Sequence, residues 1–161
     1  MMDYLWSPWR YRYVIEGVRS DECVFCKIGA DPSQDAKNFV LRRARFNFIL
    51  LNLYPYTTAH TLIAPYSHIA TLSGLQEEAL KEMSVLSRDV EKALQSGYQP
   101  QGFNMGMNLG KCAGAGIADH LHLHFVPRWN GDANFMSVTS ETRVLPEDLS
   151  QTYAKLLPLF S

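Results

Sequence analysis

Net charge, cysteine and long apolar runs are all in short supply in this chain. Lys and Arg total 15 against 16 Asp and Glu, for a formal net charge of −1. No broad field of one sign is available to recruit nucleic acid or an anionic membrane surface. No apolar run approaches the roughly 20 residues of a membrane span. The opening stretch, MMDYLWSPWRYRYV, lacks the uninterrupted apolar segment of a secretory signal. With only 3 cysteines, two of them as Cys23-Val24-Phe25-Cys26, a disulfide framework is excluded and a reducing, cytoplasmic setting is expected. Internal repeats and low-complexity linkers are also missing. The expectation is one domain over residues 1–161, long enough for a real core, with an aromatic-rich extension at 1–20.

What the chain does have is histidine, and most of it in one place. Three of the 5 histidines stand in His120-Leu121-His122-Leu123-His124-Phe125-Val126. A spacing of two is the period of a β-strand, so the imidazoles share one face and Leu121, Leu123 and Phe125 share the other. Pro127 is expected to end that strand, because it has no N–H for the ladder. A polar, titratable row backed by an apolar one costs desolvation unless the rings have partners or work. Catalysis, metal binding and an inert structural row all fit the spacing alone.

The remaining elements follow from local pattern. Phe39–Arg43, Phe46–Leu51 and His60–Pro65 read as strands of an antiparallel meander, joined by Ala44-Arg45 and by a turn around Pro55. Ser73–Ser96 reads as the long helix, with Ser73 and Gln76 as a capping box and Gly97 as its C-terminal cap. Leu75, Ala79, Met83, Leu86, Val90 and Leu94 form its buried stripe. Met83 and Met105 are read as core filler. Gly102–Leu109 is a fourth strand, and Gly110–Gly116 is a glycine-rich loop able to aim backbone N–H groups at a phosphate. A last helix begins at Pro146, presents Leu149, Tyr153, Leu156 and Leu157, and stops at Pro158. The aromatics of 1–20 suit a packing segment, a subunit interface or a base-stacking surface. Cys23-x-x-Cys26 alone is half of a zinc site, a redox pair or chance, and zinc would need two more ligands.

The alternating histidines resemble the signature of the histidine triad superfamily. Phe48-Ile49-Leu50-Leu51-Asn52, His60-Thr61-Leu62-Ile63-Ala64-Pro65 and His124-Phe125-Val126-Pro127-Arg128 resemble it in the same order, from about Cys23 to Asp132. Leu5-Trp6-Ser7-Pro8-Trp9-Arg10 and Trp129–Phe135 look more like the bacterial diadenosine tetraphosphate phosphorylase branch, related to the fragile histidine triad hydrolases. The resemblance implies an α+β fold with a five-stranded antiparallel sheet, a long helix and a C-terminal helix, and usually a homodimer. It implies cleavage of dinucleoside polyphosphates through a covalent nucleotidyl-histidine, with His122 as nucleophile and His124, as an imidazolium, donating to the developing charge. Substrate contacts carried over are Asn52 to ribose, Asn108 and Lys111 toward phosphate, and backbone at Gly114 and Gly116, with His60 orienting the group. Two departures stand out: Gly116 and Ile117 where many relatives carry serine or threonine, and Asn108 where hydrolase relatives carry glutamine. Relatives with CxxC imply structural zinc on Cys23, Cys26, His68 and His120. A nucleoside phosphoramidase, or a zinc-stabilised nucleotide-binding protein without turnover, are the rival readings.

Overall fold

The computed structural model of the protein describes residues 22–132 and 147–160. The 1–20 extension, Pro146 and the 133–135 part of Trp129–Phe135 lie outside the described residues. The chain runs α1 (Val24–Ala30), β1 (Val40–Arg43), β2 (Asn47–Leu51), β3 (Thr61–Pro65), α2 (Glu77–Tyr98), β4 (Gly102–Gly106), β5 (Leu123–Arg128) and α3 (Leu149–Leu156). The strands form one antiparallel sheet in the order β1-β2-β3-β5-β4. The α+β architecture and the β1-β2-β3 meander are as expected.

Alternation along each strand sorts side chains between the faces. Ile49, Leu51, Ile63, Leu121, Leu123 and Phe125 pack with Met83, Leu86, Val90 and Leu94 of α2 in the main core. Phe48, Leu50, Leu62 and Ala64 point the other way and meet Phe25 and Ile28 of α1. So α1 lies on the histidine face of the sheet. It was not foreseen, because seven residues are too few for a periodic signal.

Several boundaries differ from expectation, each for a physical reason. β5 starts at Leu123 rather than His120, and it runs through Pro127 to Arg128 instead of ending there. The carbonyl of Pro127 accepts from Thr57 Oγ1 at 3.2 Å. In an antiparallel strand a residue's N and O face the same side. The missing N–H therefore points where β3, which pairs only with Leu123–Phe125, no longer runs. The capping box does not form: Leu72–Gly74 is a 3-10 turn, and α2 starts after Gln76 with Glu77 and Glu78 at the positive end of its dipole. Gly97 lies inside α2 and is not the cap. A Cβ there would stand 3.3 Å from Leu159 Cδ1 and 3.4 Å from Leu156 Cδ2, so the glycine admits the C-terminal segment. Gln99 takes the left-handed cap at φ 48°.

Met83 is core, but Met105 is 59% exposed, because β4 is an edge strand. β4 itself ends at Gly106, short of Leu109. α3 is capped by Asp148, whose carboxylate accepts from Gln151 N–H, so the helix begins later than Pro146. Its inner face uses Leu149, Thr152, Tyr153 and Leu156 while Leu157 is exposed, and Pro158 sits within a 3-10 turn that carries the chain on to buried Phe160.

Candidate active site and metal cluster

Cys23 and Cys26, three apart at the start of α1, face the same way. Opposite them stand His68, in the loop after β3, and His120, just before β5. One ligand atom from each lies within 4.8 Å of all the others. Cys23 Sγ is 3.3 Å and Cys26 Sγ 3.5 Å from His120 Nδ1; His68 Nδ1 is 3.3 Å from both Cys26 Sγ and His120 Nδ1. His120 Nε2 donates to the Pro65 carbonyl at 2.9 Å. That bond places the proton of the neutral ring on Nε2 and leaves Nδ1 bare toward the cluster. Burial pushes the His120 pKa below its ordinary 6.5, favouring this neutral form. Burial, with Cys23 beside it, pushes the Cys26 thiol up. Two thiols and two imidazole Nδ1 atoms meeting at one point is the donor set of a four-coordinate soft or borderline metal ion, and all four sequence-expected ligands are brought together.

The backbone then turns the next imidazole to a different task. His122 Nδ1 donates to the His120 carbonyl at 2.9 Å. The neutral ring has one proton, so Nε2 keeps its lone pair. The ring is 7% exposed, packs against Phe25 at a centroid distance of 4.9 Å, and has its pKa lowered, mainly by burial. The result is an unprotonated nitrogen at neutral pH, held in one tautomer.

His124 alternates onto the same face, its ring centroid 4.8 Å from that of His122. His124 Nδ1 is 3.0 Å from His60 Nε2. His60, 1% exposed, enters β3 from a turn in which Ala59 adopts φ 60°. Its Nδ1 accepts from the Tyr56 backbone N–H at 3.1 Å and lies 3.3 Å from Asn52 Nδ2. Asn52 Oδ1 in turn accepts from the Tyr54 N–H at 2.9 Å.

These rings open onto a cleft of ≈ 240 Å³. His122, His124, Asn52, Asn108, Gly114 and Gly116 line it. Lys111 is exposed and is not among the lining residues; nor is His60, which sits behind His124. Sequence reasoning missed the apolar lining: Val24, Phe25, Ile28, Leu50, Leu62 and Ile117, with Leu53, Tyr54 and Tyr56. The signal for Leu50 and Leu62 was present, since they alternate with the α2-facing core residues. Val24 and Phe25 were visible only as the spacer inside CxxC. In the glycine loop Gly110 at φ 84° and Gly114 at φ 88° bracket a 3-10 turn, a backbone only glycine adopts without strain.

Comparison with known proteins agrees with this geometry. The HIT domain family model matches residues 33–131. The chain is 34% identical over 158 residues to a Mycobacterium tuberculosis protein named AP-4-A phosphorylase, covering 92% of this chain and 79% of that one. It is 27% identical to the adenosine 5'-monophosphoramidase of Schizosaccharomyces pombe, over 80% of this chain and 96% of that one. A zinc-bound histidine triad family protein from Mycobacterium smegmatis superposes with a TM-score of 0.69 at 29% identity, covering 86% of this chain and 93% of the other. With the alternating imidazoles, the sheet and these relatives in agreement, the chain belongs to the HIT domain family and is an enzyme of the histidine triad superfamily.

Proposed function

We propose that this enzyme cleaves dinucleoside polyphosphates of the diadenosine tetraphosphate kind, passing the nucleotidyl group through His122. The observation that supports this most is the 2.9 Å bond from His122 Nδ1 to the His120 carbonyl, which leaves Nε2 as a bare nucleophile. The Nε2 lone pair attacks the α-phosphorus, an N–P bond forms, and the P–O bond to the polyphosphate breaks. A second displacement hands the nucleotidyl group to phosphate or water and restores the imidazole. His124 donates to the departing oxygen. The apolar wall of Val24, Phe25, Ile28 and Ile117 receives the base; Asn52 and Asn108 serve ribose and phosphate; backbone at Gly114 and Gly116 serves the phosphate oxygens. Lys111, exposed outside the lining, is assigned no contact in the cleft.

The similarity to a phosphorylase favours phosphate as acceptor. Incubation with diadenosine tetraphosphate, with and without phosphate, tests it. ADP plus ATP only with phosphate is the expected result. AMP plus ATP without phosphate would make the enzyme a hydrolase. Tight binding with no product, or turnover confined to phosphoramidates, would overturn the assignment.

We further propose zinc on Cys23, Cys26, His68 and His120. Zinc ligand lengths of about 2.3 Å to sulfur and 2.0–2.1 Å to nitrogen give tetrahedral edges of roughly 3.3–3.8 Å, and the four separations among Cys23, Cys26, His68 and His120 given above fall in that range. Such a closed site is structural and tethers α1 to the sheet, leaving His122 and His124 free of metal. A homodimer through the open edge of β4, a single domain and a reducing cytoplasmic setting complete the proposal. The free thiols of Cys23 and Cys26 suit that setting, and none of the described helices is long and apolar enough to cross a membrane.

A further inference from the structure

We infer that Tyr56, Asn52 and His60 form a one-way hydrogen-bond chain that makes His124 a donor through Nε2 as a neutral ring, so that it stabilises the leaving oxygen without transferring a proton. The inference rests on the reading above for what His124 faces, but the chain itself is read from the protein alone.

A backbone N–H can only donate. Tyr56 N–H points at His60 Nδ1 from 3.1 Å, so Nδ1 must offer a lone pair. Asn52 reinforces this from a second direction. Its Oδ1 is committed to the Tyr54 N–H at 2.9 Å, which orients the amide with Nδ2 toward His60 Nδ1 at 3.3 Å. A proton on His60 Nδ1 would face two donors. The one proton of neutral His60 is therefore on Nε2, and at 3.0 Å it can only be donated to His124 Nδ1. Nδ1 of His124 is thereby an acceptor, and the proton of that ring lies on Nε2, the nitrogen on the far side from His60. Adding a second proton to His124 would set Nδ1–H against His60 Nε2–H. The titratable side chains facing His124 include Tyr56, whose ring stacks on it at a centroid distance of 5.8 Å, His60 and His122.

The chain begins at a peptide N–H, which has no proton to give. His124 therefore cannot be recharged through His60 if it loses its own proton. The chemistry does not require that loss. As the P–O bond breaks, the electron pair stays on a phosphate oxygen that is stable as an anion, and the Nε2–H bond to it shortens while the proton stays on nitrogen. His60 is a positioning residue here, and Asn52 acts on catalysis through it as well as through the cleft.

Long-range 1H–15N spectra of the 15N-histidine-labelled, metal-loaded protein near pH 7, without nucleotide, read the tautomers directly. The expected result is His60 and His124 each with protonated Nε2 and bare Nδ1. An imidazolium pattern or an Nδ1–H tautomer for His124 overturns the inference. In His60→Ala the His124 signals should spread over both tautomers, with kcat for diadenosine tetraphosphate down roughly ten- to a hundredfold and KM little changed. His60→Asn, which keeps an N–H donor, should restore the Nε2–H pattern. An unchanged His124 tautomer in His60→Ala removes His60 from this role, and if that variant fails to fold, the wild-type spectrum and His60→Asn decide. Because the spectra need no substrate, the expected tautomers in a protein without turnover would sink the proposed function, and with it the role at the leaving oxygen, and leave the hydrogen-bond chain and the neutral His124 standing.

Discussion

At the scale of the residue, three histidines two apart in sequence have three separate environments. His120 turns Nδ1 to the cysteine–histidine cluster, His122 keeps Nε2 bare, and His124 Nδ1 stands 3.0 Å from His60 Nε2. The partner of His120 is a carbonyl on β3, that of His124 is a histidine beside β3, and that of His122 is a carbonyl two residues back, so the motif shows the face and the structure shows the proton. Replacing His122 with Ala should lower kcat by at least about a thousandfold while nucleotide still binds, measured by product formation and equilibrium binding on one preparation. Burial lowers the pKa of His122 below 6.5, so the nucleophile stays unprotonated as the pH falls past that value. The acid limb of kcat/KM should therefore lie below 6.5, and a limb above it would contradict the burial argument. The stability effect has the same direction. Below 6.5 the unfolded imidazole takes up a proton that the folded one resists, so the stability His122 gives the neutral fold is complete above that pH and declines beneath it.

At the scale of the element, the site depends on α1 and on the hairpin β1-β2 being fixed to the sheet and to α2. α1 is tied at its start by the two cysteines and at its end by Arg43, which donates to the carbonyls of Ile28 and Gly29 at 2.6 and 2.9 Å. Burial of Phe25 and Ile28 then closes the apolar side of the cleft. Stripping the metal should raise amide exchange selectively in α1 and weaken AMP binding, while α2 and the strands keep their protection. Uniform loss of protection would mean that the cluster holds the whole fold. Glu82 of α2 binds the hairpin: its carboxylate accepts from the N–H groups of Arg45, Phe46 and Asn47 and from Asn47 Nδ2, at 2.8–3.0 Å. Glu82→Ala removes the acceptor of four hydrogen bonds, although Asn47 Nδ2 keeps its bond to the Ala79 carbonyl, and should cost about 2–4 kcal/mol, read as a lower urea midpoint with unchanged slope. The strands and α2 were legible because their apolar residues repeat at two or at three and four. α1, the α2 cap and the course of Pro127 were not, because each is decided by what packs beside it.

At the scale of the whole molecule, the two sheet edges differ. The C-terminal segment packs along β1, where Tyr153 donates its hydroxyl proton to the Val40 carbonyl at 3.2 Å. Among the described residues β4 has no such cover, and Asn104, Met105 and Gly106 are exposed on it. An open edge with an exposed methionine invites a second strand. On the dimer proposed above, Met105→Arg should shift the mass in light scattering toward the monomer at micromolar concentration. An unchanged mass would move the interface elsewhere.

The sequence by itself determined which residues alternate, and so the strands, the long helix, the face shared by the histidines, and the family. Its local patterns carry that information because the periods of strand and helix are properties of the backbone. Only the tertiary structure decided that Nδ1 of His120 is the bare nitrogen, through the bond of its Nε2 to Pro65 on β3. It also decided that cysteines 94 and 97 positions from His120 meet it at one point, and that Val24 and Phe25, the spacer between them, wall the cleft. Those outcomes depend on contacts between segments distant along the chain, which no local spacing encodes.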